Sequence, residues 1–531
     1  SHSSPPKGRE GKTNKKKKTE DRMADVATYV PYHWMILGGL FLGALIAVWR
    51  IVAYYSDPSS RYFIATLVIN ITILCAVSSI LIIPVDIFTT ANDLHVLQIE
   101  HLYTMMYIGL AVSVILMSPF AYFYVEEADN GEEECMIKTC TAFRGTLFVV
   151  FILAIILGGI LVIGERETSH VSTKEAVQAW ITGLVSDHER NARAHQALLH
   201  VMAACTAVGF VNLVMYGGFG LASLPVVLIR GNLGAEEEKL EIEFSRLKLR
   251  QEKQKLEKRG KSKRARQAID QIEHKIKMAE KRMDNLEKQV SEIGCYSYVY
   301  TILAPFRVGI GLGLMVLSML VIGTAGVTCI DRFFNSSCGF SCGYLVEAND
   351  MYFPNVIDIL MVKLSEYFPL DYIVFAAMAL YLFVASAHGV GRMGVRLMGI
   401  QVFKIKRRRT SAQALLLSAA VLAILALAIS VTLLSIAPQY VSFGAQSYTP
   451  KGEKEAVPCE MGSAFGEQAS CRLTSFAKFV GSQIVDNRLF SLAFFYGQGA
   501  FVAVALVSLL HAFCRRRDGS YAGDDLSDSD S

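Results

Sequence analysis

The sequence predicts an all-α, polytopic helical membrane protein of about nine spans, with a long charged helical hairpin between the fifth and sixth. Three observations carry this prediction. Hydrophobic residues fill 52% of the 531 positions and the mean hydropathy is +0.36, more apolar surface than one water-surrounded core takes up. Apolar segments recur at the length of about 20 residues that carries a helix across a hydrocarbon layer of about 30 Å. Short segments of strand-type alternation are not the pattern, which leaves helices as the spanning element. The third observation is the charged stretch from Ala235 to Ile293 that interrupts the apolar pattern.

The second half of that stretch carries Ile269, Ile272, Ile276, Ala279, Met283, Leu286, Val290 and Ile293. Their alternating steps of three and four are the repeat of a helix with one packing seam, as in a coiled coil. Leu240, Phe244 and Leu247 mark a weaker seam in the first half, and the basic turn Arg259-Gly260-Lys261-Ser262-Lys263-Arg264 separates the two. The reading is an antiparallel hairpin of helices standing roughly 35–40 Å out from the membrane at 1.5 Å per residue. It is either a solvated, self-packing spacer or a docking surface for a partner.

In chain order the prediction has five parts. Residues 1–30 form a disordered basic N-terminal segment with Lys15-Lys16-Lys17-Lys18; Met23 is the expected natural start and no cleavable signal peptide is expected. Gly11-Lys12-Thr13 imitates the end of a phosphate-binding loop, but Pro6 stands where its first glycine belongs. Residues 31–230 hold spans 1 to 5, at about 34–54, 62–83, 102–125, 142–163 and 198–221. Residues 231–298 are the hairpin. Residues 299–513 hold spans 6 to 9, at about 308–329, 372–387, 412–436 and 489–513. Residues 514–531 form a disordered acidic tail. Between spans 6 and 7, Val356, Ile357, Leu360, Met361, Leu364, Tyr367 and Phe368 fall on one helical face opposite Asp358, Lys363 and Glu366, the pattern of a helix lying in the membrane interface.

Orientation follows from basic residues near the span ends. Arg392, Arg396, Lys404, Lys406, Arg407, Arg408 and Arg409 follow span 7, the hairpin is rich in both basic types, and Arg515-Arg516-Arg517 follow span 9. These face the cytoplasm, which puts the C-terminus in the cytosol and the N-terminus on the luminal side, against the pull of the basic N-terminal segment. The basic loop after span 7 is expected to meet anionic lipid heads, and no nucleic-acid partner is expected.

Candidate sites lie on the non-cytoplasmic side. Cys329, Cys338, Cys342, Cys459 and Cys471 fall there, where the default is disulfide rather than metal. Cys459 and Cys471 share the long loop between spans 8 and 9 and are paired on that ground. Cys338 and Cys342 read as a short-loop disulfide or half of a metal site, with no histidine cluster beside them. Asn335-Ser336-Ser337 is a glycosylation sequon on the same side. Asp86 and Asp371 are the acidic residues nearest the membrane interior, beside Pro84 and Pro369; they read as helix-end groups in the headgroup region or as a ligand or proton site. No Ser/His/Asp set, paired metal motif or nucleotide loop stands in a suitable context, so no enzyme activity is expected.

Several stretches resemble the limb-region-like (LIMR) family of nine-span membrane proteins, and within it the branch tied to lysosomal cobalamin. They are Ile83-Pro84-Val85-Asp86-Ile87-Phe88, Tyr122-Phe123-Tyr124-Val125-Glu126-Glu127, Ser223-Leu224-Pro225 with Leu228-Ile229-Arg230-Gly231, Phe368-Pro369-Leu370-Asp371-Tyr372-Ile373, Arg408-Arg409-Thr410 with Gln413-Ala414-Leu415-Leu416, and Ser435-Ile436-Ala437-Pro438-Gln439-Tyr440-Val441 with Gly444-Ala445-Gln446-Ser447-Tyr448. They occur in the family's order from about residue 30 to 510. The resemblance implies a lysosomal protein, also present at the plasma membrane, that supports cobalamin export to the cytosol as escort or accessory subunit of an ATP-binding-cassette (ABC) half-transporter. It also implies a cytosolic cobalamin-processing protein as partner. Cobalamin would be a transported ligand, with no covalently bound cofactor, and the family supplies no catalytic residues. Two other readings stay open, a stand-alone cobalamin transporter and an endocytic receptor for lipocalin-like or other extracellular proteins; homo-oligomerisation is open too. The chain departs from the family pattern at Cys329, Cys338 and Cys342 and at Gly231-Asn232-Leu233-Gly234, where the family's tyrosine sorting signal belongs.

Overall fold

The computed structural model describes residues 38–39, 41–57, 62–92, 99–129, 135–168, 201–230, 235–258, 296–334, 353, 355–367, 369–397, 400–405, 410–448, 457–459, 471–486 and 488–514, with 269, 272, 273, 276, 280 and 283. The helices are α1 (Phe41–Tyr55), α2 (Phe63–Ala91), α3 (Ile99–Asp129), α4 (Cys135–Thr168), α5 (Val201–Ile229), α6 (Ala235–Lys258), α7 (Tyr296–Phe334), α8 (Val356–Leu364), α9 (Leu370–Met393), α10 (Ala412–Ile436), α11 (Pro438–Phe443), α12 (Ser475–Asp486) and α13 (Arg488–Cys514). Two short antiparallel ribbons join them, β1 (Val395–Leu397) with β2 (Ile400–Phe403), and β3 (Ser447–Tyr448) with β4 (Val457–Pro458). Among the described residues, eight helices are long and apolar enough to cross a membrane, and α1 is a shorter apolar helix at the place of the first expected span. The chain is an all-α polytopic membrane protein.

The chain divides into two compact units, Ser1–Gly220 with Leu320–Ala505 and Leu221–Met319 with Leu506–Ser531. In the first, α10 is the central helix. No charge occurs in its 25 residues, and its alanines and serines let neighbouring backbones come close. Its hydroxyls turn back on the helix: Ser430 Oγ donates to the Ala426 carbonyl at 3.0 Å and Thr432 Oγ1 to that of Ala428 at 2.7 Å. That satisfies polar groups which the hydrocarbon cannot. Ser411 opens the helix, its side chain accepting from the Ala414 N–H, the usual work of an N-cap serine. Packed along α10 are α2, α3 and α9.

Two helices run on beyond the expected ends of their spans. The sequence reading stops span 2 at Ile83, yet α2 continues through Pro84 to Ala91. Proline removes one backbone donor there, and the Ile83, Pro84, Asp86 and Ile87 side chains are all buried. In α5 the small-residue stretch holds a π-helical turn, Leu213–Gly217, and continues through Pro225. A Cβ at Gly389 of α9 would overlap the Tyr216 carbonyl oxygen, and one at Gly220 would overlap that of Ala385. Glycine at these positions lets α5 and α9 touch backbone to backbone.

In the second unit, α6 is paired with helical residues of the second half of the charged stretch. Arg250 Nη2 lies 3.2 Å from Glu280 Oε1, Arg246 Nη1 3.9 Å from the same oxygen, and Lys253 pairs with Glu273. Numbers rising on one side against numbers falling on the other make the pairing antiparallel, and Ile242 and Ile272 are buried. The pairs are half exposed and contribute little individually; the apolar seam holds the two together. The Arg259–Arg264 turn lies outside the described residues.

Candidate functional site

Three buried carboxylates, all in the first unit, converge on the segment that follows α10. Asp86, late in α2, accepts the Phe476 N–H at 2.7 Å and the Ser475 N–H at 3.3 Å, and Thr90 donates to it at 3.2 Å. It therefore caps the first turn of α12, where unsatisfied backbone donors and the helix dipole both favour an anion. Asp358 in α8 does the same for α11, accepting from Gln439 N–H at 3.1 Å and Tyr440 N–H at 3.0 Å. Asp371, in the first turn of α9, accepts the Tyr440 hydroxyl at 3.0 Å, while its Oδ1 has no hydrogen-bond partner.

Tyr440 is the common member. Its backbone is held by Asp358, its hydroxyl by Asp371, and its ring packs 5.6 Å from Phe375. Burial first, then the Asp371 charge, push its phenol above the ordinary tyrosine range, so it remains a donor. Burial pushes the Asp358 carboxyl up to about 6, against the two backbone N–H groups that favour its charged form.

The loop beyond α11 is tied to the same place. Cys459 and Cys471 are joined by a disulfide. Gln439 Nε2 donates to the Cys459 carbonyl at 3.1 Å, and the Cys459 N–H to that of Gln446 at 2.9 Å. Gln446 also exchanges two bonds with the Arg472 backbone, while Thr474 Oγ1 donates to the Val441 carbonyl and accepts from Ala477 N–H. On the other side of α12, Phe476 and Phe479 stack on Tyr103 and Tyr107 of α3. The void lined by Tyr107, Met202, Thr206, Ser430, Phe476 and Phe479 measures about 10 Å³, room for about one water. Among the described residues, no three of His, Cys, Asp and Glu group as metal ligands.

The expected site residues thus have definite places. Asp86 and Asp371 are both buried, and each accepts hydrogen bonds from protein groups. Asn335, Cys338 and Cys342 lie outside the described residues, and Cys329 lies in α7. Asp358 is a correction. The helical-face reading set it opposite the buried side, whereas Ile357, Asp358 and Met361 are the buried residues of α8 and Val356, Ile359 and Leu360 are exposed. Three residues after the N-cap Asn355, it has the sequence signature of an ordinary first-turn acid. Its partners lie 81 and 82 positions away. Tyr440 sits in the Ser435–Val441 stretch that resembles the family, but nothing in that stretch says which carboxylates meet it.

The family of LMBR1-like membrane proteins matches residues 34–308. Similarity to individual proteins runs the whole length. A probable lysosomal cobalamin transporter of Nematostella vectensis is 25% identical over 94% of this chain and 97% of its own. The lysosomal cobalamin transport escort protein LMBD1 of Danio rerio is 27% identical over 94% of this chain and 96% of its own, and that of Mus musculus 26% identical over 96% and 99%. No solved structure matches the chain. With the family match covering more than half of its length, the chain belongs to the LMBR1-like membrane protein family.

Proposed function

We propose that this protein supports cobalamin export from lysosome to cytosol as the escort or accessory subunit of an ABC half-transporter, which hands cobalamin to a cytosolic processing protein. The observation that carries the reading is the end-to-end similarity to proteins named for lysosomal cobalamin transport. An escort over a conduit is supported by Asp86 and Asp358, buried carboxylates committed to helix-end backbone N–H groups. In this reading the N-terminus, Asn335 as glycosylation site and the Cys459–Cys471 loop are luminal, the α6 hairpin and the C-terminus cytosolic, and a fraction of the protein reaches the plasma membrane.

Cells lacking the protein should accumulate lysosomal cobalamin, and the half-transporter should fail to reach the lysosome. Purified chain in liposomes should move no cobalamin by itself. Flux without a partner would replace the escort with a stand-alone transporter; saturable capture of a soluble extracellular protein would point to a receptor.

A further inference from the structure

The ribbon β1–β2 plays no part in the carboxylate cluster, and its build is unusual for a loop between two spans. Gly394 ends α9 at φ 71°, a left-handed conformation suited to glycine, and the chain folds back against the helix end, with Gln401 Nε2 donating to the Met393 carbonyl at 3.2 Å. The Arg396 N–H donates to the Tyr216 hydroxyl of α5 at 2.8 Å. At the far end Thr410 pairs with Ser56 beyond α1, and Asp57, the acidic residue met there, takes its N–H to the Thr410 carbonyl. The ribbon is therefore fixed at the ends of α9 and α10, at the level where spanning helices leave the hydrocarbon.

Its surface is both apolar and cationic. Ile400 is 73% exposed and Val402 46% exposed, side chains that water disfavours and an acyl–headgroup boundary accepts. In the sequence the ribbon is flanked by Arg392, Arg396, Lys404, Lys406, Arg407, Arg408 and Arg409, with no acidic residue between Asp371 and Glu453. Arg396 is half-buried and Lys404 exposed, so both cations stand within reach of an anion beside the ribbon. We propose that this ribbon is a headgroup site for anionic glycerophospholipid: Ile400 and Val402 enter the interface while Arg396 and Lys404 hold the headgroup phosphate and carboxylate. Charge complementarity and continuity with two spanning helices select lipid over a soluble anion as occupant. The site is independent of cobalamin handling.

The test places a reporter on the ribbon. Full-length protein carrying Ile400→Trp is reconstituted in phosphatidylcholine with phosphatidylserine, with either lipid brominated in turn, and the signal of the same chain without the substitution is subtracted. Brominated phosphatidylserine should quench several-fold more strongly than brominated phosphatidylcholine. At about 1 kcal/mol per basic side chain near an anionic leaflet, or roughly fivefold, Arg396→Gln with Lys404→Gln should erase most of that preference while quenching by both lipids persists. Neither change touches the backbone contact to Tyr216. Equal quenching before the charges are removed, no quenching by either lipid, or a preference indifferent to the double variant would each overturn the proposal. Should Ile400→Trp fail to fold, lipid retained by the unsubstituted chain and by the double variant in detergent, read by mass spectrometry, decides: phosphatidylserine enriched on the first alone supports the site, and no difference sinks it.

Discussion

Asp358 offers the most quantitative test of how the loop is anchored. Replacing it with alanine strands two backbone donors, Gln439 N–H and Tyr440 N–H, the second buried. Each hydrogen bond to a charged acceptor is worth about 1.5–3 kcal/mol net, so Asp358→Ala should destabilise the α8–α11 junction by about 3–6 kcal/mol. Asp358→Asn keeps one acceptor oxygen, and its cost depends on pH. The folded carboxyl titrates at about 6 against an ordinary value of 3.8, so the folded state binds its proton more tightly than the unfolded chain. The sign follows from linkage: this contribution is full below about pH 3.8 and is lost as pH rises through 6. At 1.36 kcal/mol per pH unit the loss is at most on the order of 3 kcal/mol. Between pH 4 and 7 the parent protein should therefore weaken around residues 437–444 while Asp358→Asn does not, so the difference between them should shift in favour of the Asn variant toward neutral pH. Amide exchange of 437–444 in detergent micelles, with thermal unfolding of both variants, measures it. Parallel pH slopes for parent and Asn variant, or an Ala variant within about 0.5 kcal/mol of the parent, would refute the reasoning.

Gly389→Val should prevent α5 and α9 from closing and lower stability by more than about 3 kcal/mol, whereas Gly391→Ala, with nothing within 4 Å of its added carbon, should stay within about 1 kcal/mol of the parent; detergent unfolding curves compare them. Serine at Cys459 or Cys471 removes a cross-link between positions 12 apart, worth roughly 3 kcal/mol by the chain-entropy estimate. Non-reducing peptide mapping of protein matured in the secretory pathway should recover the cross-linked peptide, and two free thiols would remove it. Tags near Gly260 and Gly462 should report opposite sides of sealed vesicles; cleavage of both from one side would break the orientation. Shortening the hairpin equally in both arms, from about Phe244 to Val290, should leave the protein in the lysosome but stop export, and full export would deny the hairpin any role in partner binding.

Spans were legible because their signal is local. An uncharged run such as Ala412–Ile436 can be read without knowing its neighbours, and its expected bounds coincide with α10. The hairpin's second-half seam was legible for the same reason, with Ile272 buried, but its first-half seam was misplaced: Phe244 and Leu247 are exposed and Ile242 is the buried residue of α6. Asp86 and Asp371 were found because charge beside the hydrocarbon is conspicuous, but their partners Phe476 and Tyr440 lie 390 and 69 positions away, and no periodicity encodes a contact of that range. Asp358 was misplaced because a helical-face rule sorts residues by polarity, and a carboxylate that serves two backbone N–H groups is buried for its hydrogen bonds. Pro84 misled through its general tendency to end helices, which the buried surroundings of α2 override.

The same distinction bears on where the working parts of the protein lie. Asp86 and Asp358 are spent on helix-end N–H groups, and Tyr440 occupies one oxygen of Asp371, so these carboxylates serve the fold before they can serve a passing ligand. Freeing Asp358 or Asp86 for a ligand would unfasten α11 or α12 from the helices that hold them. The surfaces carry no such obligation. On α6, Phe244 is 63% exposed and Leu247 52% exposed, with Lys248 Nζ 5.6 Å above the Phe244 ring, and on β2 Ile400 and Val402 stand outward beside basic residues. Aromatic and aliphatic groups framed by cations are what partner and lipid surfaces are built from. Among the described residues, the carboxylates of Asp86 and Asp358 are committed to helix-end N–H groups inside, while Phe244, Leu247, Ile400 and Val402 are exposed outside.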